Sequence, residues 1–470
     1  MQTEIKPHYD VVIIGAGPAG MSASLTLSNY GLSVAVFDEQ VRPGGQIYRN
    51  VQNAQQVMGQ VTDNDRFSRA TVAHGSELTA RFMNCAVNYF AQSFVWSVES
   101  LSVIAVNWHE RVFQTSCRYL IVATGAQERP VPFKGWELPG VMGVGAAQIM
   151  LKSAGAVPQA APVLFGSGPL LYLYATQLIA SNLPPAAILD TTSFRNSIKA
   201  LRHLPRALKA VSYLRDGFNL LKTIRAAGVA HYKHVTSVTA YGDDRLQGVE
   251  FTASGKTLNC ETDLLLSHHG VVPETQLLRA IGVECYLDES AQCWRPVLDE
   301  WGASRVEGVY VCGDNASVNG AYNAEYDAAL ASFDILFRAG VITESERNKL
   351  AVPECDAAKR DKSIRPFLVA KYKVVDTLLC ASGDTLVCRC ESVTAAQIVE
   401  AVSNGCHGPN QVKSFTRCGM GACQGRMCGP AVESIIARET GRSRAEVGQF
   451  RVRPPLRPVS LAAIASLDQG

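Results

Sequence analysis

Residues 9–24 read YDVVIIGAGPAGMSAS, and the fold is decided there. A run of β-branched residues from Val11 to Ile14 enters Gly15-x-Gly17-x-x-Gly20, and a helix-compatible stretch follows. The pattern predicts a strand, a tight turn through Gly15, Gly17, Pro18, Ala19 and Gly20, and a helix. The free N–H groups and dipole of that helix N-terminus receive a pyrophosphate. The next strand, SVAVF, ends in Asp38 and Glu39, about twenty residues on, where an acid accepts hydrogen bonds from an adenosine ribose. A glycine turn alone is weak evidence. Strand, spacing and acid together specify a dinucleotide site.

Downstream segments decide between flavin and nicotinamide. RPGGQIY (42–48) follows the acid, and Gly44, Gly45 and Gln46 bring the backbone close to a second part of the cofactor. YLIVATGA (119–126) reads as a buried strand ending in Ala123, Thr124 and Gly125. GVYVCGDNA (308–316) is another, ending in Gly313 and Asp314. Four motifs in this order resemble the FAD domain of two-dinucleotide-fold flavoproteins, the disulfide-reductase-like class. The resemblance implies FAD, with Asp314 at its ribityl chain. A dithiol relay is excluded, because no C-x-x-C or C-x-x-x-x-C occurs in the first 380 residues.

Between these segments lies a second strand-turn-helix, APVLFGSGPLLYLYA (161–175). Gly166-x-Gly168-x-x-Leu171 departs from the fingerprint at its third glycine, which permits close helix–strand packing. A strand ending in Asp190 offers a ribose acid. The reading is a second Rossmann-like domain that takes NAD(P), a non-redox adenine nucleotide such as ATP, or nothing. SHHGVVPETQ (267–276) returns the chain to the first domain, and its histidine pair reads as seam packing rather than as ligands.

With 470 residues, several domains are expected. A net charge of +2 gives no reason to expect nucleic acid. The N-terminus lacks a signal-peptide pattern, and no apolar run has the length of a spanning helix. The expectation is a cytoplasmic chain with no transmembrane segment, able to dock on a membrane peripherally. Fourteen cysteines in such a chain argue against disulfides. Seven of them fall between Cys380 and Cys428, which points to a metal site.

That region contains TLVCRCESVTAAQIVEAV (385–402) and CGMGACQGRMC (418–428). Cys388-x-Cys390 and Cys423-x-x-x-x-Cys428 supply four thiolates with glycine backbone beside them, the requirement of a 2Fe–2S cluster. Zinc also accepts four cysteines, with C-x-x-C its usual spacing. The segment resembles the ferredoxin-like domain of bacterioferritin-associated ferredoxin, and more closely the version fused to flavin dehydrogenases. Cys418 stands at a position which that family does not use as a ligand, and it is read with Cys380 and Cys406 as a structural thiol.

PGGQIYR, ATGAQERPVPFKGWELPGVM and GSGPLL extend the resemblance over nearly the whole chain. It is similar to the larger flavoprotein subunit of opine oxidases, hydrogen cyanide synthase and D-hydroxyproline or proline dehydrogenases. This implies an α/β fold of two dinucleotide-binding domains, one inserted in the other, plus a small iron–sulfur domain. The expected segments are 1–155 and 267–345 (FAD domain), 156–266 (second Rossmann-like domain), 346–384 (linker), 385–450 (2Fe–2S domain) and 451–470 (arm). It further implies a second, amine-oxidase-like flavoprotein subunit that oxidises an amino or imino acid, with room for a small ferredoxin-like subunit and for FMN at a subunit interface.

Four functions remain open on the sequence. The first is an FAD and iron–sulfur electron-transfer subunit of such a complex. The second is a self-sufficient NAD(P)H-dependent reductase, which Leu171 weighs against and Asp190 for. The third is a dehydrogenase acting at its own FAD, and the fourth a scaffold without redox turnover. No general base is identified.

Overall fold

The computed structural model describes residues 5–52 and 66–469. His8–Ile14 lies at the centre of a seven-stranded sheet, parallel to Val34–Phe37 on one side and to Val112–Val122 on the other. Asn88–Phe90 extends it beyond Val34–Phe37. Val309–Val311 returns from far down the chain to pair in parallel with Val112–Val122. Both faces of this strand are covered from Val11 to Ile14, so that run is continuously apolar rather than alternating. Val11 and Ile13 pack with the helices Pro18–Asn29 and Ala321–Arg338, while Val12 and Ile14 enter a second core with Leu277, Leu278 and Leu456.

A second sheet runs in the order Ala230–Tyr232, Ala187–Asp190, Val163–Gly166, Leu265–His268, Val141–Gly143, all parallel. Val141–Gly143 and the helix Val144–Ala154 belong to this sheet, although the sequence reading placed the domain break after residue 155. Pairing of Val141 with Leu265 and Met142 with Leu266 draws them there. Leu171, which stands where the fingerprint has its third glycine, is fully buried in the core beneath that helix.

The stretch 346–384, read as a linker, is largely helical. Thr343 and Glu346 form a capping box that starts Glu344–Asp361, and Arg365–Lys371 and Asp376–Leu379 follow. The C-terminal unit is built on the helices Ala395–Ser403, Pro409–Thr416 and Gly429–Thr440. Ile398, Val412, Val432, Ile435 and Ile436 close its core. An arm then crosses back to the first sheet: Leu456 N–H donates to the Trp96 carbonyl, and Ala463 packs with Trp96 and Val106. Among the described residues, no helix is long and apolar enough to cross a membrane.

Candidate functional site

The first glycine turn lies at the carboxyl end of the central strand, where open α/β sheets bind ligands. Gly20 is packed so tightly that a Cβ there would meet the Gly15 carbonyl oxygen at 1.8 Å. Gly17 differs, since a Cβ would meet only the Gly45 Cα, at 3.8 Å. The space beside Gly17 is therefore open, and Gly45 forms its far wall. Gly44 N–H donates to the Ala16 carbonyl at 2.8 Å, which ties the RPGGQIY loop to this turn.

Asp38 does not offer a free carboxylate to a ribose. One oxygen accepts from Ala16 N–H at 2.5 Å and the other from Gln40 N–H at 2.7 Å, so this acid braces the turn. Burial raises its pKa to about 6 despite those two bonds. Glu39 is the acid left facing outward. It is half-buried and pairs with Arg457 of the C-terminal arm at 2.5 Å. Gln46 is exposed and accepts a hydrogen bond from Arg49 at 3.0 Å.

At the neighbouring strand ends, the buried hydroxyl of Thr124, between Ala123 and Gly125, and the buried side-chain oxygen of Asn315 have no partner among the described residues. Asp314, after Gly313, uses one oxygen to accept from Asn319 and Gly320 N–H groups at 3.0 and 3.1 Å. Burial raises its pKa. Orphaned buried polar groups require a partner, and here they line an open backbone cradle. The set fits a dinucleotide.

The second turn has a different chemistry. Asp190 pairs in register with Gly166, the first glycine of its turn. Continuing the register of Ile14 with Phe37 sets Asp38 opposite Gly15. Asp190 is thus the counterpart of Asp38, and the counterpart of Glu39 is Thr191. The reading of Asp190 as a ribose acid is corrected accordingly: it is buried, accepting from Tyr172 O–H at 2.7 Å and Thr192 N–H at 2.8 Å, with His231 at 3.4 Å. Gly168 opens onto a cavity of about 960 Å³ that His268, His269 and Arg129 also line. His268 meets Glu128 at 2.6 Å. Neither ring nitrogen of His269 is paired among the described residues, and burial lowers its pKa to about 3, so it stays neutral.

The third group lies in the C-terminal unit. The sulfurs of Cys388, Cys418 and Cys428 are buried and within 4.8 Å of one another. Those of Cys390 and Cys423 are 3.9 Å apart. Five thiols therefore surround this loop rather than the four read from spacing, and Cys418 belongs to the buried trio. Cys380 and Cys406 lie outside that trio. A buried trio and a close pair of thiols offer more than the four thiolate ligands that a centre of two irons takes. Gly421 lies against Cys390, where a Cβ would come within 2.1 Å of the cysteine Cβ. Gly419 and Gly425 make room for the ring of Phe450, a residue that no motif pointed to.

The cysteine loop is docked onto the dinucleotide-binding part of the chain. Gln276 donates to the Cys423 and Gln424 carbonyls at 3.3 and 2.9 Å. Two residues earlier, Glu274 N–H donates to the Gly125 carbonyl at 3.0 Å, and Asn315 donates to the Glu274 carbonyl. Trp294 donates to buried Glu433 at 3.0 Å, and Trp136 donates to the Leu386 carbonyl at 2.6 Å. Residues 274–276 thus touch both sites.

Residues 9–328 match the family model described as pyridine nucleotide-disulphide oxidoreductase. The chain belongs to that family. It is a FAD-dependent oxidoreductase, and residues 382–467 match the sarcosine oxidase A3 domain. Within the family it is 37% identical to an opine oxidase subunit of Rhizobium meliloti, over 99% of this chain and 89% of that protein. It is 30% identical to hydrogen cyanide synthase subunit HcnB of Pseudomonas aeruginosa, over 97% and 98%. The fold is shared with L-proline dehydrogenase from P. horikoshii, at a TM-score of 0.66 and 18% identity over 97% of this chain and 79% of that one.

Proposed function

We propose that this chain is the electron-handling subunit of a multi-subunit enzyme that oxidises an amino or imino acid at a C–N bond. Its substrate would be oxidised on a separate, amine-oxidase-like flavoprotein subunit, with or without a small ferredoxin-like subunit. The observation that carries this reading is segment 274–276, which holds the dinucleotide site by Gly125 and the cysteine loop by Cys423 and Gln424. Relatives that match along almost the entire chain are named as subunits of an opine oxidase and a hydrogen cyanide synthase, which supports the same class.

In this reading the backbone of Gly15, Gly17, Pro18, Ala19 and Gly20, with Gly44 and Gly45, cradles FAD. Glu39 takes the ribose, and Thr124 and Asp314 take the ribityl side. Cys388, Cys390, Cys423 and Cys428 hold a 2Fe–2S centre. When bound, FAD supplies chemistry of an electron pair and the iron–sulfur centre that of single electrons. The protein's part is to hold both sites on one chain, joined through residues 274–276, and to tune them by burial and hydrogen bonds. The reading as a self-sufficient NAD(P)H reductase loses its support at Asp190, whose carboxylate is enclosed by Tyr172, Thr192 and His231. Fourteen unpaired cysteines suit a cytoplasmic location.

The test is reconstitution with the amine-oxidase-like partner and a panel of opines, prolines, hydroxyprolines and glycine. At least one compound should bleach the flavin of this chain in the mixture, and none should bleach it when the chain is alone. Bleaching of the isolated chain by the panel would assign substrate oxidation to this polypeptide instead.

A further inference from the structure

The segment 315–320 leads from Asp314 into the helix Ala321–Arg338. Gly320 is the N-cap of that helix, and no side chain caps the free N–H groups of its first turn. Asp314 holds the segment through the Asn319 and Gly320 N–H groups. Arg365, which lies in no motif and belongs to the stretch read as a linker, holds it as well. Its guanidinium donates to the Asn319 carbonyl. A Cβ on Gly320 would meet the Nη2 atom of Arg365 at 2.7 Å, so the glycine leaves that space to the guanidinium.

The other charges around this helix start are engaged. Lys362 pairs with Asp327 at 2.7 Å, and Asp361 accepts from Tyr213 O–H at 2.5 Å and from Asn323. Arg365 is half-buried and has no carboxylate within ion-pair distance among the described residues, and its Nε is buried without a partner there. Burial raises the pKa of Asp314, and the charge of Arg365 draws it back down, so that charge is felt at the acid. A guanidinium keeps its charge at any working pH, and partial burial strengthens its field relative to water. The ribityl chain, which the proposed function places at Asp314, joins the flavin ring beside N1 and the C2 carbonyl. Reduction by two electrons and one proton, which goes to N5, leaves a negative charge on N1 and C2=O. A positive group near N1 is one means by which a protein tunes a flavin. Resting on that placement of the ribityl chain, we propose that Arg365 raises the reduction potential of the flavin in this chain by stabilising the negative charge at N1 and C2=O. The electron pair then passes more readily from a partner to this polypeptide.

The test compares the FAD-loaded full chain with Arg365→Lys, which keeps the charge, and Arg365→Gln, which keeps a hydrogen-bond donor without it. The flavin potential is read by equilibration with a redox dye. Arg365→Gln should lower it by about 30 mV or more, the equivalent of a tenfold change in a two-electron equilibrium. Arg365→Lys should stay within about a third of that shift. Sulfite gives a second readout without turnover. Its sulfur lone pair bonds to N5 and an electron pair moves onto N1 and C2=O, so its affinity should fall at least tenfold in Arg365→Gln. FAD affinity of both variants should stay within threefold of the parent. An unchanged potential in Arg365→Gln would overturn the proposal. So would loss of FAD from that variant, which would make the arginine a clamp on the segment 315–320. Full FAD affinity in Asp314→Ala would instead remove the placement of the ribityl chain on which the proposal stands.

Discussion

Cys388→Ala and Cys428→Ala proteins are expected to come out of anaerobic purification with iron and sulfide reduced from about two each per chain to less than a tenth of that, while FAD is retained. The two sulfurs are buried together, and they come from different segments, one at the end of the strand Leu386–Cys388 and one before the helix Gly429–Thr440. Removing one leaves an iron short of a thiolate in a closed pocket. Cys418→Ala should keep its iron, because Cys388, Cys390, Cys423 and Cys428 supply four ligands in the proposed centre. Cys406→Ala is the control for folding, as this thiol is buried in the same core but outside the trio. Loss of iron from Cys418→Ala with retention in Cys428→Ala would reassign the ligand, and zinc in place of iron would replace the redox reading with a structural one.

The second large effect is expected at Gly17. Its backbone, at φ −77° and ψ −172°, suits alanine, and a Cβ there meets nothing closer than 3.8 Å. Gly17→Ala should therefore fold normally, with unchanged circular dichroism and a melting temperature near that of the flavin-free parent. Its methyl group, however, would occupy the space that the pyrophosphate needs. FAD binding should weaken about 100-fold or more, about 3 kcal/mol, read by fluorescence titration. Gly20→Ala provides the contrast. There the methyl meets the Gly15 carbonyl oxygen at 1.8 Å, so the fold itself should suffer. Full flavin occupancy in Gly17→Ala would show that the cofactor does not lie on this turn.

The two strand-turn-helix units were legible in sequence because their chemistry is local: a buried strand, a glycine turn and a helix start occupy one short window. The acids were harder. Asp38 and Glu39 are adjacent, and only strand register shows that Asp38 faces back into the turn while Glu39 faces out. The same register turns Asp190 into a bracing acid and sets Thr191 at the outward position. Sequence spacing does not carry that information. Resemblance alone sets Cys418 aside, whereas its approach to Cys388 depends on how the loop folds over Phe450. Arg457, Gln276 and Glu433 lie in no motif, because each acts by joining parts of the chain that are remote in sequence.

The most direct test of the central claim is an anaerobic titration of the purified chain, followed by visible absorbance and electron paramagnetic resonance, with NADH, then NADPH, then dithionite. An electron-handling subunit without its own nicotinamide entry should keep its flavin absorbance through both pyridine nucleotides. Dithionite should then bleach the flavin and bring up the signal of a reduced 2Fe–2S centre. Bleaching of the flavin and appearance of that signal with NADH or NADPH alone would contradict the account and make the chain a reductase.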